Sequence, residues 1–208
     1  ATGYSFPSGH TQGATCLFFP LALKARKFWI KLLCILAFLA IGFSRMYLGC
    51  HTPKDVLASM GISLLVSALI WHYQEFFLDD TKHLKLIAAI LAGLSLAVAA
   101  YSLILLRNGT IEVKYAADCC KAAGAGLGFA IGWDVERTRL NFDTRTGNFW
   151  SQILKLAAGL AAALIIKEGF SLLFGSSILA KMVEYLILVL WVLVIYPYLF
   201  SKLLRRNV

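Results

Sequence analysis

The chain has 208 residues, of which 60% are hydrophobic and only 15% charged, and its mean hydropathy is +0.75. About a quarter of the residues of a soluble domain are charged, so this composition excludes a water-soluble globule and requires lipid to cover its apolar surface. The formal charge of +9 does not indicate nucleic acid, because the basic residues sit in short clusters between apolar runs and not along one polar face.

A membrane-crossing helix needs about 20 mostly apolar residues. The sequence predicts seven spans, over residues 8–23, 28–48, 54–73, 84–106, 115–133, 153–174 and 178–200. The expected fold is all-α, a polytopic transmembrane helical bundle. The first span opens on Pro7-Ser8-Gly9-His10. The free amides and positive dipole end of a helix start form a phosphate cradle. Gly9 lets the backbone approach an anion, and Ser8 either caps the helix or donates to a phosphate oxygen. An ordinary serine cap following a proline explains the same residues.

At the end of the second span stand Ser44 and Arg45, followed by His51 and Asp55. Thr52-Pro53-Lys54-Asp55 is a helix start, with Thr at the N-cap, Pro at the first helical position and an acidic residue completing a capping box. Asp55 therefore has a capping role. A carboxylate four residues beyond His51 also suits a second task, accepting a hydrogen bond from one ring nitrogen and leaving the other as a nucleophile. Arg45 either snorkels to headgroups or clamps phosphate through two hydrogen bonds.

Further along, Asn108-Gly109-Thr110 is a glycosylation sequon, meaningful only in a eukaryotic source. The fifth span is broken by Asp118 and Lys121, and its Gly124, Gly128 and Gly132 recur every four residues. Without a preceding strand they form a close-packing face and not a dinucleotide loop. Lys167-Glu168 interrupts the sixth span and is read as a local ion pair or snorkelling pair. His72 and His83 are expected to be solvated and remote from the motifs. The five cysteines, Cys16, Cys34, Cys50, Cys119 and Cys120, have no zinc-type spacing and serve as small apolar residues.

Loop charge sets the orientation. Lys24, Arg26, Lys27, Lys31, Lys82, Lys85, Arg137, Arg139, Arg145, Lys155, Lys202, Arg205 and Arg206 fall on one side, 13 of the 20 basic residues. The positive-inside rule makes that side cytoplasmic. Residues 1–10 and 44–55 then face the periplasm, lumen or exterior.

Pro7-Ser8-Gly9-His10 and Ser44-Arg45, His51 and Asp55 resemble the second and third signature motifs, PSGH and SRxxxxxHxxxD, of the type 2 phosphatidic acid phosphatase superfamily. All eight specified positions match. Phe6, Thr11 and Tyr47-Leu48-Gly49 also resemble bacterial lipid-phosphatase members. The resemblance covers residues 1–73 well and is loose over 107–208. It divides the chain into catalytic core helices at 1–75 and a C-terminal transmembrane extension at 76–208. The family's first motif, KxxxxxxRP, has no match in these residues. Residue 1 is alanine, and the upstream helices carrying that motif are expected to belong to a longer protein.

The resemblance implies an integral-membrane phosphatase that hydrolyses a lipid phosphate or diphosphate through a phosphohistidine. His51 attacks phosphorus, Asp55 orients it, and His10 protonates the leaving alkoxide. Ser8, the Gly9 amide and Arg45 hold the phosphate oxygens. No metal and no other cofactor is expected. The partners are the bilayer and its lipid phosphate, and the location is a bacterial inner membrane with the site on the extracytoplasmic face. Vanadium-dependent haloperoxidases share these pocket motifs, but they are soluble. A non-catalytic membrane relative is the other alternative, and the intact nucleophile, acid and orienting carboxylate argue against it.

Overall fold

The computed structural model describes residues 6–76, 81–142, 148–175 and 177–205. Its regular structure is helical: α1 (Gly9–Lys24), α2 (Phe28–Tyr47), α3 (Pro53–His72), α4 (Thr81–Arg107), α5 (Val113–Val135), α6 (Phe149–Phe174), α7 (Ile178–Leu190) and α8 (Tyr196–Arg205). A π-helical turn, Glu136–Leu140, extends α5, and another, Trp191–Ile195, joins α7 to α8. The described residues thus form seven helical rods at the seven predicted places. Arg145 and Arg206, assigned above to the cytoplasmic side, lie outside the described residues.

Five rods are long and apolar enough to cross a membrane: α2, α3, His83–Arg107 of α4, α6, and Ile178–Lys202. The two others fall short for different reasons. α1 has only 16 residues, and α5 mixes Asp118, Lys121 and several glycines into its apolar run. The large apolar side chains of the spans point outward. Trp29 is 75% exposed, Leu172 85% and Leu173 80%. Lipid is the solvent that suits such a surface, and the protein is an integral membrane protein.

The chain forms two compact units, Ala1–Asp79 and Asp80–Val208. In the first, α1 packs on both α2 and α3. The three helices converge at Gly42, where a Cβ would meet Val56 Cγ1 at 3.1 Å, Thr11 Cγ2 at 3.5 Å and the Met60 methyl closer still. Along α3, Asp55, Ser59, Ser63 and Ser67 recur every four residues, and all are buried. Ser59 Oγ donates to the Asp55 carbonyl at 2.8 Å, and Ser63 Oγ donates to the Gln12 carbonyl of α1 at 3.4 Å. Small hydroxyl side chains let two backbones approach closely in lipid and satisfy themselves locally.

In the second unit α5 packs on α4 and α7. The glycine stripe is a packing face, and its partner is the last rod. A Cβ on Gly124 would strike the Met182 carbonyl, one on Gly128 would lie 2.7 Å from the Leu186 carbonyl oxygen, and one on Gly132 would lie 3.0 Å from Leu193. By contrast α6 buries none of its residues. Trp191 Nε1 donates to the Gly159 carbonyl at 3.3 Å and the Tyr196 hydroxyl to the Lys155 carbonyl at 2.6 Å, tying α6 to the last rod. Charges within this unit pair locally: Lys167 with Glu168 at 3.6 Å, Lys121 with Asp118 at 2.8 Å, and Lys181 with the buried Glu184 at 2.7 Å. His72 is exposed as expected, whereas His83 is half-buried with its Nδ1 inside.

Candidate active site

The connection between α2 and α3 is short, and its geometry is set by Gly49. That residue adopts φ +65°, a left-handed conformation that glycine reaches without a Cβ clash. The Gly49 amide donates to the Met46 carbonyl at 2.9 Å and the Cys50 amide to the Arg45 carbonyl at 3.1 Å. These two bonds define a Schellman motif, which stops α2 and satisfies its last carbonyls. The His51 amide donates to the same Arg45 carbonyl at 3.3 Å. Arg45 and His51 are thereby fixed relative to one another through the main chain.

The predicted capping box is present. The Thr52 amide donates to Asp55 Oδ2 at 2.9 Å, and the Asp55 amide donates to Thr52 Oγ1 at 3.4 Å. A box of this kind stabilises a helix start by about 1 kcal/mol. The same carboxylate oxygen stands 3.7 Å from His51 Nδ1. That is ion-pair range and a few tenths of an ångström beyond a hydrogen bond, so the ring nitrogen has no hydrogen-bond partner although it is buried. Arg45 Nε is also buried without a partner. An interior donor of this kind costs free energy until an acceptor, best an anion, completes it.

Ser8 sits at the N-cap of α1, yet its side chain does not cap the helix. It is fully buried and its Oγ accepts a hydrogen bond from Thr11 Oγ1 at 2.9 Å, which leaves the serine proton available to another acceptor. The Ser8 amide donates to the Asp55 carbonyl at 3.4 Å, so the starts of α1 and α3 lie side by side. Gly9 and His10 are exposed, and a Cβ at Gly9 would meet nothing within 4 Å. Of the six expected site residues, Ser8, Arg45, His51 and Asp55 are tied together by main-chain or charge contacts. His10 and Gly9 occupy the adjoining helix start without bonding to that group.

Sequence reading missed two supporting features. Thr11, buried and hydrogen-bonded to Ser8, was legible as the hydroxyl one helical turn beyond it. The four-residue spacing of Asp55, Ser59, Ser63 and Ser67 was also visible and marks the face of α3 that carries the site.

Membrane helices presenting two polar helix starts, a His–Asp pair and a half-buried Arg define a polytopic membrane protein with a polar cluster at the helix ends. Residues 1–79 match the family model described as the PAP2 superfamily. Residues 120–206 match one described as the PAP2 superfamily phosphatase transmembrane extension. Together the two take in well over half of the chain, and the protein belongs to the PAP2 superfamily. Among curated proteins it is similar to undecaprenyl-diphosphatase BcrC of Bacillus subtilis (33% identity over 75 residues, 36% of this chain and 38% of the relative). It is also similar to phosphatidylglycerophosphatase B of the same species (32% over 84 residues, 36% and 41%). A third relative is an undecaprenyl-diphosphatase of Sulfolobus acidocaldarius (35% over 68 residues, 33% and 32%). The chain spans well under two thirds of the length of each. No solved structure is significantly similar to it.

Proposed function

We propose that the protein is a lipid phosphatase that works through a phosphohistidine on His51. The observation that carries this reading is the His51–Asp55 pair: Nδ1 faces a carboxylate oxygen already anchored by the Thr52 amide. Such a carboxylate holds the ring with its proton on Nδ1 and leaves Nε2 as the nucleophile. Nε2 attacks phosphorus, the bond to the leaving oxygen breaks, and His10 gives that oxygen a proton. Water then attacks the phosphohistidine, passing its proton to His10 and releasing phosphate. Arg45, the Ser8 hydroxyl and the Gly9 amide stabilise the charge on the equatorial oxygens, so the reaction needs no metal.

The names of the similar proteins suit this chemistry and direct the substrate toward a polyprenyl diphosphate or a phospholipid phosphate. Residues 1–75 act as the catalytic core and 76–208 as a membrane extension. Charge clustering puts the site on the extracytoplasmic face. The test is rapid-quench labelling of the purified protein with radioactive lipid phosphates and diphosphates. The unaltered protein should trap acid-labile label, and His51→Gln should trap none. His10→Gln should be slowed mainly with poor leaving groups. Vanadate should inhibit as a transition-state mimic, and a metal chelator should not. A labelled His51→Gln protein, or activity lost in chelator and restored by magnesium, sinks the reading.

A further inference from the structure

Between α4 and α5 lies a groove of about 290 Å³, lined by Lys85, Ala88, Ala92, Ala130, Ile131 and Asp134 among others. The alanines make its floor smooth and apolar, a shape that suits an acyl chain lying between two helices. Two opposite charges flank it. Lys85 stands near the start of α4 and Asp134 near the end of α5, so both mark the same end of the pair. Asp134 Oδ1 is buried and has no hydrogen-bond partner. The Thr138 hydroxyl donates at 2.6 Å to the main-chain carbonyl of Asp134 and not to its carboxylate. A carboxylate oxygen held out of water without a donor is a costly arrangement in an apolar groove.

We infer that this groove binds a phospholipid whose headgroup carries both a phosphodiester and a primary ammonium, such as phosphatidylethanolamine. Lys85 takes the phosphodiester, the ammonium supplies the hydrogen bond that Asp134 Oδ1 lacks, and an acyl chain lies along the alanines. Charge complementarity selects this occupant. An anionic lipid satisfies Lys85 and is repelled by Asp134. A quaternary choline head matches the charges but has no N–H to offer the carboxylate. The site lies wholly within the second unit and does not depend on the phosphatase reading.

The experiment uses the full chain in phosphatidylcholine nanodiscs doped with a trace of phospholipid bearing a photoreactive acyl chain. The phosphatidylethanolamine probe should label residues 85–92 and 130–135 about tenfold more than a phosphatidylglycerol probe does, the scale of one charge-assisted hydrogen bond. Asp134→Asn should reduce the phosphatidylethanolamine label about tenfold toward the level of the others. Lys85→Gln should reduce both labels, and Ala92→Leu should block the groove to all probes. Equal labelling by phosphatidylglycerol, or label unchanged in Asp134→Asn, overturns the inference. Displacement by water-soluble glycerophosphoethanolamine also overturns it, since a free headgroup would then suffice. If Asp134→Asn fails to fold, the comparison of probes on the unaltered chain decides alone.

Discussion

Arg45 and His51 are joined through the main chain, the carbonyl of Arg45 accepting the amide of His51 at 3.3 Å. The distance between the proposed phosphate clamp and the proposed nucleophile is therefore set by the seven-residue turn 45–51 and not by side-chain packing. Gly49 makes that turn possible. Gly49→Ala meets no steric obstacle, since a Cβ there has nothing within 4 Å. Its cost is purely conformational, about 1 kcal/mol, with Gly49→Val worse and Gly49→Asn milder. Phosphate release should fall by more than the melting temperature suggests, because a relaxed turn moves His51 away from Arg45. Activity and thermal melting of the three variants, measured in one detergent, check this ordering.

Asp55 caps α3 and, in the proposed mechanism, orients His51 through the same oxygen, and the two tasks can be separated. Asp55→Asn keeps an acceptor for the Thr52 amide, so helix stability should change by no more than about 1 kcal/mol. The substitution removes the negative charge that, in the proposed mechanism, fixes the His51 tautomer. Turnover should fall on the order of 10²-fold or more, with little change in melting. Parallel losses of both would mean that Asp55 is a cap alone.

The glycine face of α5 should tolerate no side chain. Gly124→Ala drives a methyl into the Met182 main-chain carbonyl, which cannot rotate away, and overpacking of this kind costs about 1–3 kcal/mol. Gly93→Ala, where nothing lies within 4 Å, serves as the control and should be neutral or stabilising. Differential melting of the two proteins reads the outcome.

Orientation rests on loop charge and is directly accessible. In a cysteine-free background, Thr52→Cys should react with a membrane-impermeant thiol reagent applied to intact cells, and Lys27→Cys should react only after permeabilisation. The reverse pattern would turn the protein over.

The elements most legible from sequence were those ruled by local chemistry. The helices follow from runs of apolar residues, and the Thr52–Asp55 box from residue types at fixed spacing. The Gly124, Gly128 and Gly132 stripe announced a close contact, though only the structure names α7 as its partner. Tertiary choices were less visible. Ser8 occupies the N-cap position, yet its buried hydroxyl is engaged by Thr11 and does not cap the helix. Seven apolar runs suggested seven spans, and seven rods are found, of which α1 and α5 fall short of a span by length and composition. Glu184 had no sequence role, because its partner Lys181 is recognisable only once α7 places the two on one buried face.

The poverty of contacts made by α6 bears on how the chain is built. The glycine face of α5 finds its complement in α7 and the turn that follows, and α6 lies between them in sequence. During synthesis α5 is therefore complete well before the surface it fits exists. Meanwhile α6 must cross the bilayer on the strength of its own apolar residues, none of which is buried by the protein. Insertion comes first and docking later, and the gap in time leaves the most tightly fitted surface of the unit facing lipid until the last rod arrives. A chain halted after α6 would hold Gly124, Gly128 and Gly132 and no partner for them.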